Sequence, residues 1–311
     1  DDNLFGVYEG VYTDDIVNYL EKSKKKYYKI LTTPESFQKV KDAFEEQEMS
    51  AHCSCFLLFD ECHKLVKDAD YRSDITLPID DFFKFDQKAL VSATPIELND
   101  PRFKEQNFQT IEIQPTFDYK KEIWLHHTNN TLQAFKDTLS KLDNEETAPL
   151  PICVFINSTD IIYSLMKQLD LLEDSAVFCA PKSVDKLKKN RFCNAYEEWN
   201  KDKMKRYNFF TSRFFNAVDM ELEEQPHVIM LTDVYFAEHT MIDPYTDAIQ
   251  IVGRFRNGVS SITYISNTKK GLPQRSKEEI KGYLICSKEI YRTMKNFYDC
   301  ATDRASRDAY R

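Results

Sequence analysis

Short apolar runs alternate along the chain with segments whose apolar residues recur every three to four positions. The runs predict strands at 27–31, 55–59, 88–92, 152–156, 176–180, 207–211, 228–232 and 261–266. The periodic segments predict helices at 34–48, 158–169 and 244–255, and residues 275–311 are also predicted to be helical. Continuous apolar strands separated by helices are typical of parallel sheets covered on both faces, so the predicted fold class is α/β.

One interruption of this pattern divides the chain into two predicted domains. Residues 114–121 place a proline and a charge cluster between two strand-like segments. A chain of 311 residues is long enough to bury two separate cores. We therefore predict a first domain over residues 1–116 and a second over residues 117–311, the latter with a C-terminal helical extension.

Composition narrows the classes of protein without naming one. Hydrophobic residues make up 42% of the chain and charged residues 30%, which is typical of a globular protein. No apolar run approaches the length of a membrane span, so no membrane partner is expected and a cytoplasmic location is predicted. Eight cysteines spread this thinly are expected to be reduced thiols. The spacing of Cys53 and Cys55 does not match a zinc ribbon or finger, so ordinary packing is favoured over zinc.

The net charge of −9 argues against nonspecific coating of nucleic acid, although it leaves room for a local basic groove. Residues 182–206 hold nine basic and four acidic side chains, interleaved with Phe192, Tyr196 and Trp199. Such a stretch could follow a phosphate backbone and stack bases. A solvated helix face with aromatic anchors is the favoured interpretation when the stretch is taken alone.

Polar residues follow several of the predicted strands directly. Ligands of parallel sheets bind at the carboxyl ends of the strands, so these residues are candidates for a shared site. The segments are Thr-Thr-Pro-Glu at 32–35, Asp-Glu-Cys-His at 60–63, Ser-Ala-Thr-Pro at 92–95, Asn-Ser at 157–158 and Thr-Ser at 211–212. All of them are expected to lie at one edge of two sheets.

In this order the segments resemble the motifs of DExH-type superfamily 2 helicases and nucleic-acid translocases. DECH at 60–63 is similar to motif II, SATP at 92–95 to motif III, and TTPES at 32–36 to the TPE segment of the first domain. VFINS at 154–158 is similar to motif IV, TSRFFNAVDM at 211–220 to motif V, and QIVGRFR at 250–256 to motif VI. The resemblance implies two RecA-like parallel-sheet domains in tandem.

The resemblance also implies ATP hydrolysis assisted by Mg²⁺. Asp60 would hold Mg²⁺ through water, and Glu61 would deprotonate the water that attacks the γ-phosphate. Arg254 and Arg256 would reach that phosphate, and which of them acts as the arginine finger stays open because Asn257 stands where the family often has its second arginine. The residues that would couple nucleotide state to domain closure are His63 and Gln250, with Ser92 and Thr94.

A second group of residues is implied to bind nucleic acid. Thr33, Pro34 and Glu35 begin a predicted helix, with Thr32 or Thr33 as its cap, and free amides at such a start can bind a phosphate. Asn157 and Ser158 would do the same in the second domain, and the motif V residues Thr211, Ser212 and Asp219 would connect this surface to the nucleotide. The implied partner is single-stranded or duplex nucleic acid. DNA is favoured over RNA because QIVGRFR lacks the HRxGRxxR form of RNA-remodelling proteins. The sequence does not identify a protein partner.

The sequence contains no GxxxxGK[ST] phosphate-binding loop. FGVYEGV at 5–11 resembles a segment that follows this loop in the family, so the first domain is expected to be truncated at its N-terminus. The chain alone is then expected to hydrolyse ATP poorly, and an extended form to be the active one. Two alternatives stay open: a noncatalytic helicase-fold module that binds nucleic acid or serves as a scaffold, and an RNA helicase. A metal-dependent hydrolase is a distant third, because no comparable ligand set supports it.

Overall fold

The computed structural model describes residues 4–22, 27–67, 73–76, 78–96, 98, 100–116, 118, 120–143, 149–216, 218–269, 271 and 274–310. The strands are β1 (Leu4–Val7), β2 (Lys29–Thr32), β3 (Phe56–Phe59), β4 (Gln87–Leu90), β5 (Trp124–His127), β6 (Ile152–Phe155), β7 (Ser175–Phe178), β8 (Ala195–Tyr196), β9 (Tyr207–Phe210), β10 (His227–Thr232) and β11 (Ser261–Ser266). The helices are α1 (Thr13–Lys22), α2 (Phe37–Glu46), α3 (Ala51–Ser54), α4 (Lys64–Lys67), α5 (Ile79–Phe82), α6 (Pro101–Glu105), α7 (Thr131–Asp143), α8 (Thr159–Gln168), α9 (Pro181–Lys189), α10 (Asp247–Gly253), α11 (Lys277–Cys300) and α12 (Arg304–Tyr310).

The larger part of the molecule is a seven-stranded parallel sheet in the order β5-β11-β10-β6-β9-β7-β8. Successive side chains of a strand point to opposite faces, and β6 sends Cys153 and Phe155 into one apolar cluster and Val154 and Ile156 into the other. Both faces are therefore covered. This explains why β6, β7, β9 and β10 are apolar at every position or nearly so, as the sequence predicted.

Two smaller parallel pairs precede this sheet, β1 with β2 and β3 with β4. Residues 55–59 were expected to form a strand covered on both faces. The strand is present, but the expectation of burial is wrong. Phe56 is 60% exposed and Leu58 54% exposed, while Leu57 and Phe59 pack against apolar clusters. An apolar run predicts a strand from its side chains, whereas the number of layers that cover the strand depends on distant parts of the chain.

Residues after the large sheet form the predicted C-terminal helices. α11 begins with a capping box, in which the Glu279 amide donates to Ser276 Oγ at 3.1 Å and the Ser276 amide donates to Glu279 Oε2 at 2.6 Å. The helix has no buried residue. Within the described part of the chain, none of the helices combines the length and the apolar character that crossing a membrane requires.

The predicted domain boundary at 116/117 stays a prediction. The first strand of the large sheet is β5, which begins at Trp124. Residues 117 and 119 of the interrupting segment lie outside the described residues, as do residues 144–148 of the loop before β6.

Candidate functional site at the strand ends

The candidate site begins where β3 and β4 end side by side. The Val91 amide donates to the Phe59 carbonyl at 2.9 Å, and the Cys62 amide donates to the Val91 carbonyl at 3.1 Å. These two bonds continue the pairing of the strands past their ends. They bring the turn that holds Asp60 and Glu61 next to the segment that follows β4, as parallel strands with a common carboxyl edge require.

Glu61 has a backbone conformation that is uncommon for a residue with a side chain, with φ at +50°. The turn is held by Asp60, whose Oδ1 accepts from the Glu61 amide at 2.8 Å. Residues kept in this region cluster at functional sites, where the surrounding contacts compensate for the local cost. The turn thus directs the Glu61 carboxylate to a defined place at an energetic cost to the fold.

Substitution of Glu61 offers a test of that cost. Glu61→Gly and Glu61→Ala both remove the carboxylate, but only glycine adopts positive φ freely. We expect Glu61→Gly to be more stable than Glu61→Ala by about 1 kcal/mol, since the left-handed region costs residues with a Cβ about 1–2 kcal/mol and the more flexible unfolded glycine chain offsets part of it. Urea unfolding of the two variants measures the difference. Equal stability would show that the turn carries no backbone strain.

His63 is buried, with 1% of its surface exposed, and its Nδ1 atom has two partners. Nδ1 lies 2.9 Å from Ser92 Oγ and 3.2 Å from Glu61 Oε2. A carboxylate oxygen only accepts, so the tautomer that suits both contacts carries its proton on Nδ1 and donates it. Ser92 Oγ accepts a further bond, from the Thr94 amide at 3.1 Å. The segments that resemble motifs II and III are therefore joined through one imidazole.

Burial lowers the pKa of His63 below the ordinary histidine value of 6.5, and the neighbouring Glu61 carboxylate opposes the shift. Lys64 and Lys67 lower this pKa further, while Asp247 raises it. A histidine with a depressed pKa binds fewer protons in the folded than in the unfolded chain. Its contribution to stability is therefore complete above pH 6.5 and is lost as the pH falls from 6.5 toward the depressed folded value.

We expect this linkage to be visible in the pH dependence of unfolding. Between pH 8 and pH 5 the free energy of unfolding should decline less steeply for His63→Asn than for the original chain, since asparagine can still donate from the Nδ1 position but does not titrate. Urea titrations at several pH values measure the slopes. His126→Asn, at an exposed position of β5, controls for the removal of a histidine as such. Identical slopes for His63→Asn and the original chain would contradict the assignment.

Gln250 brings α10 of the large sheet to the turns that follow β3 and β4. Its side chain is 2% exposed, and Nε2 donates to Glu61 Oε2 at 3.3 Å and to Thr94 Oγ1 at 3.5 Å. The sequence predicted a link between His63 and Gln250. The link in the structure runs through the Glu61 carboxylate, which accepts from both side chains.

Arg254 and Arg256 converge on Asp219, which lies in the segment that resembles motif V. A parallel bridge between Met220 and Phe255 pins the two segments together, and Ala217 of the same motif lies outside the described residues. Asp219 Oδ1 accepts from Arg256 Nη2 at 2.6 Å and lies 3.4 Å from Arg254 Nη1. Arg254 Nη2 also donates to Gln250 Oε1 at 3.1 Å. The contact of either arginine with a phosphate stays a prediction, as does the identity of the finger.

A second connection between the two parts of the molecule was not predicted from the sequence. Lys67 Nζ donates to Thr246 Oγ1 at 3.0 Å and forms an ion pair with Asp247. Two signals were available in the sequence: Lys67 stands four residues after His63, and Asp247, Gln250 and Arg254 have the i, i+3, i+7 spacing of one helix face. The partnership of the two charges is visible only in the fold.

The residues predicted to bind nucleic acid lie at two places. Asn157, Ser158, Thr211 and Ser212 follow the neighbouring strands β6 and β9, and the Ser212 amide donates to Asn157 Oδ1 at 3.4 Å. Ser158 caps α8 by accepting from the Ile161 amide at 3.4 Å.

Thr33, Pro34 and Glu35 belong instead to the turn after β2. Pro34 begins a short 3₁₀ turn there and Thr33 is its N-cap residue, as expected, although no side-chain hydrogen bond caps the turn. Thr32 Oγ1 donates to the Thr33 carbonyl.

The basic stretch at 182–206 supports the interpretation as a solvated face. Phe192 is buried at 5% exposure and cannot stack on a base. Several of the cations have acidic partners, in the pairs Lys186 with Asp160, Lys201 with Glu223 and Arg206 with Asp143. The stretch therefore does not form an uninterrupted positive groove.

Comparison with known proteins yields relatives by fold and none by sequence: no family profile and no curated protein sequence matches the chain. Mss116p bound to single-stranded RNA and AMP-PNP is 13% identical, with a TM-score of 0.50, and is matched over 95% of this chain and 63% of its own. S. cerevisiae Dbp5 bound to RNA and ADP BeF3 is 13% identical, with a TM-score of 0.48, over 92% and 67%. The yeast DEAD-box splicing factor Prp28 is 13% identical, with a TM-score of 0.34, over 97% and 65%.

The similarity to Mss116p establishes the fold. The chain shares the fold of the helicase Mss116p, with parallel α/β units of the RecA type in tandem, so the predicted fold class is confirmed and the resemblance holds at the level of the fold. The DExH subgroup stays a prediction. The chain spans between 63% and 67% of the length of these three solved chains.

Proposed function

We propose that the chain forms the core of an ATPase that couples ATP hydrolysis to movement along single-stranded nucleic acid. The observation that carries the proposal is the bond between Gln250 and Glu61, two residues that are 189 positions apart. Through Glu61 and Thr94 the same glutamine touches the segments that resemble motifs II and III. A motor needs such a joint, because chemistry at the carboxylate can then change the contact between its two parts.

In the proposed reaction Glu61 acts as the general base. Its carboxylate takes a proton from a water molecule whose oxygen forms the new bond to the γ-phosphorus, while the bond to the bridging oxygen breaks and ADP leaves. Gln250 donates to this carboxylate in the structure. We therefore propose that the hydrogen bond between Gln250 and Glu61 breaks when the attacking water is bound. Hydrolysis and the contact between the two parts of the molecule then compete for Glu61 Oε2.

Asp60 is the residue that would hold Mg²⁺. Its side chain is exposed at the end of β3, and Oδ1 accepts from the Glu61 amide. One carboxylate with solvent access suits Mg²⁺, which keeps several of its waters and takes few protein ligands. When bound, Mg²⁺ would neutralise phosphate charge. Because these 311 residues contain no GxxxxGK[ST] loop, we expect them to hydrolyse ATP poorly on their own.

Two measurements on the natural gene product that contains these residues test the proposal. ATP turnover should rise when a single-stranded oligonucleotide is added, and the affinity for that oligonucleotide should differ between no nucleotide, ADP and a nonhydrolysable ATP analogue. The second candidate, a noncatalytic binding or scaffold module, predicts salt-sensitive binding that is the same in all three nucleotide states. Absence of both stimulation and nucleotide dependence would overturn the motor.

The sugar of the nucleic acid is a separate question. The sequence-based preference for DNA finds no support in the comparison by fold, since the solved structure of Mss116p contains single-stranded RNA. We propose a backbone-directed contact at Asn157, Ser158, Thr211 and Ser212, which an RNA helicase would share. DNA and RNA strands of the same sequence, compared in the binding assay, distinguish the two. A cytoplasmic location stays part of the proposal.

A further inference from the structure

Two aromatic side chains stand in solvent on the loop that follows β10. Tyr235 is 63% exposed and Phe236 79% exposed, and their rings pack edge to face with centroids 5.3 Å apart. Aromatic rings carry most of the burial energy of cores and interfaces, so two neighbouring exposed rings are a candidate contact surface. Neither ring belongs to the proposed ATPase site.

The start of this loop is fixed by a buried acid. Asp233 is 4% exposed, and its carboxylate accepts from Thr131 Oγ1 at 2.8 Å, from Asn267 Nδ2 at 2.7 Å and from the Phe236 amide at 3.3 Å. Asn267 also accepts from the Val234 amide at 2.9 Å. The backbone on which both rings stand is therefore bonded to the ends of neighbouring elements.

The end of the loop is closed in the same way. Thr240 is fully buried, and its hydroxyl accepts from the Asp233 amide at 2.8 Å and donates to the Ala237 carbonyl at 2.7 Å. The Ala237 amide donates to the Asp233 carbonyl at 3.0 Å. These hydrogen bonds close the loop into a turn, and the turn holds the two rings in an exposed position.

The position of the loop suggests what the rings contact. Asn157 Nδ2 donates to the carbonyl of His239, three residues after Phe236, and Asn157 Oδ1 accepts from the Ser212 amide. One side chain therefore connects the aromatic loop to both segments proposed to hold phosphates. β10 and β6 are neighbours in the sheet, so the rings and these segments share its carboxyl edge.

We propose that Tyr235 and Phe236 form a stacking platform for unpaired bases of the strand whose phosphates lie at Asn157, Ser158, Thr211 and Ser212. The inference rests on the proposed function and adds to it a contact with bases. Every base offers a π-face, so the platform would recognise single strands without reading their sequence. A duplex would be excluded, because its bases are already stacked on one another.

The test compares an intact single-stranded oligonucleotide with one of equal length that carries abasic sites throughout. Both are titrated, with fluorescence anisotropy as the signal, into the natural gene product and its Tyr235→Ala/Phe236→Ala variant. We expect the variant to bind the intact strand about 5- to 150-fold more weakly, the range that corresponds to loss of stacking on one base. The abasic strand should bind equally well to both proteins. Thermal unfolding checks that the variant is folded, which the exposure of both rings favours.

A conservative variant separates stacking from plain apolar contact. Tyr235→Phe should keep the affinity for the intact strand, whereas Tyr235→Leu/Phe236→Leu should lose most of what the alanine variant loses. If the alanine variant and the original protein bind the intact strand with equal affinity, the stacking platform is wrong and the proposed function stands. The same conclusion follows if the alanine variant loses equal affinity for the intact and the abasic strand. If the alanine substitutions instead reduce self-association of the protein, the rings contact protein and the stacking platform is wrong. Failure of the original protein to bind the intact strand in any nucleotide state overturns the proposed function and the platform together.

Discussion

Glu61→Gln is expected to reduce the nucleic-acid-stimulated ATP turnover of the natural gene product by at least about 100-fold, the lower end of what a general base contributes. Glutamine has the size of glutamate and can still accept from His63 and Gln250, so the joint between the two parts of the molecule should survive. What the substitution removes is the ability to take a proton. The loss should therefore fall on turnover and spare the affinity for a nonhydrolysable ATP analogue.

Steady-state turnover and analogue binding, measured on the same preparations, check this expectation. Glu223→Gln is the matched control, because Glu223 is exposed and pairs only with the exposed Lys201 among the contacts seen in the described residues. Its turnover should stay within about twofold of the original, as is usual for a surface change away from the site. A Glu61→Gln variant as active as this control would remove Glu61 from the chemistry and would leave the joint as its role.

Phe155→Ala is expected to lower the free energy of unfolding by about 3–5 kcal/mol, the usual cost of truncating a buried phenylalanine. Phe155 is fully buried on β6. Its ring stacks on Phe210 at 5.0 Å and meets the edges of Phe215 at 5.9 Å and Phe255 at 6.1 Å. These neighbours belong to β9 and to the segments that resemble motifs V and VI, so the cavity would open between them and could not close by the movement of one side chain.

Chemical denaturation with urea measures the change. Phe155→Leu fills much of the same space and should cost about 1 kcal/mol, since swaps that nearly conserve volume cost less than about 1.5 kcal/mol. Phe236→Ala removes the same ring from a site that is 79% exposed and should change stability by less than about 0.5 kcal/mol. A loss at Phe155 no larger than the loss at Phe236 would contradict the packing described for this face of the sheet.

Phe155 and Asn157 show how far a local pattern reaches. The apolar run at 152–156 predicts a strand, and a strand in a parallel sheet predicts a candidate site at its carboxyl end. The structure has the strand, and it places Asn157 beside Ser212 at that edge. The run at 55–59 predicts its strand equally well, yet Phe56 and Leu58 are exposed. Strand formation follows from neighbouring side chains, whereas coverage of a face depends on elements far away in the sequence.

For the candidate site too, the sequence identified residues, whereas only the structure identified the contacts between them. Asp60, Glu61, Ser92 and Thr94 were singled out by their position after predicted strands, and Gln250 and Arg254 by the resemblance of their segment to motif VI. The sequence did not reveal that Glu61 accepts from Gln250, that Asp219 holds both arginines, or that Lys67 pairs with Asp247. It also did not single out Tyr235 and Phe236, because two aromatic residues after an apolar strand are expected to be buried in the core.

For this protein, the amino-acid sequence by itself determined the type of most elements, the α/β class and the chemistry available at each strand end. These properties depend on periodicity and side-chain identity over a few residues. Only the tertiary structure decided which carboxylate the glutamine of α10 would meet, which acid would hold the arginines, and which aromatic rings would stay in solvent. Those contacts join residues up to 189 positions apart, and their geometry is set by the path of the whole chain.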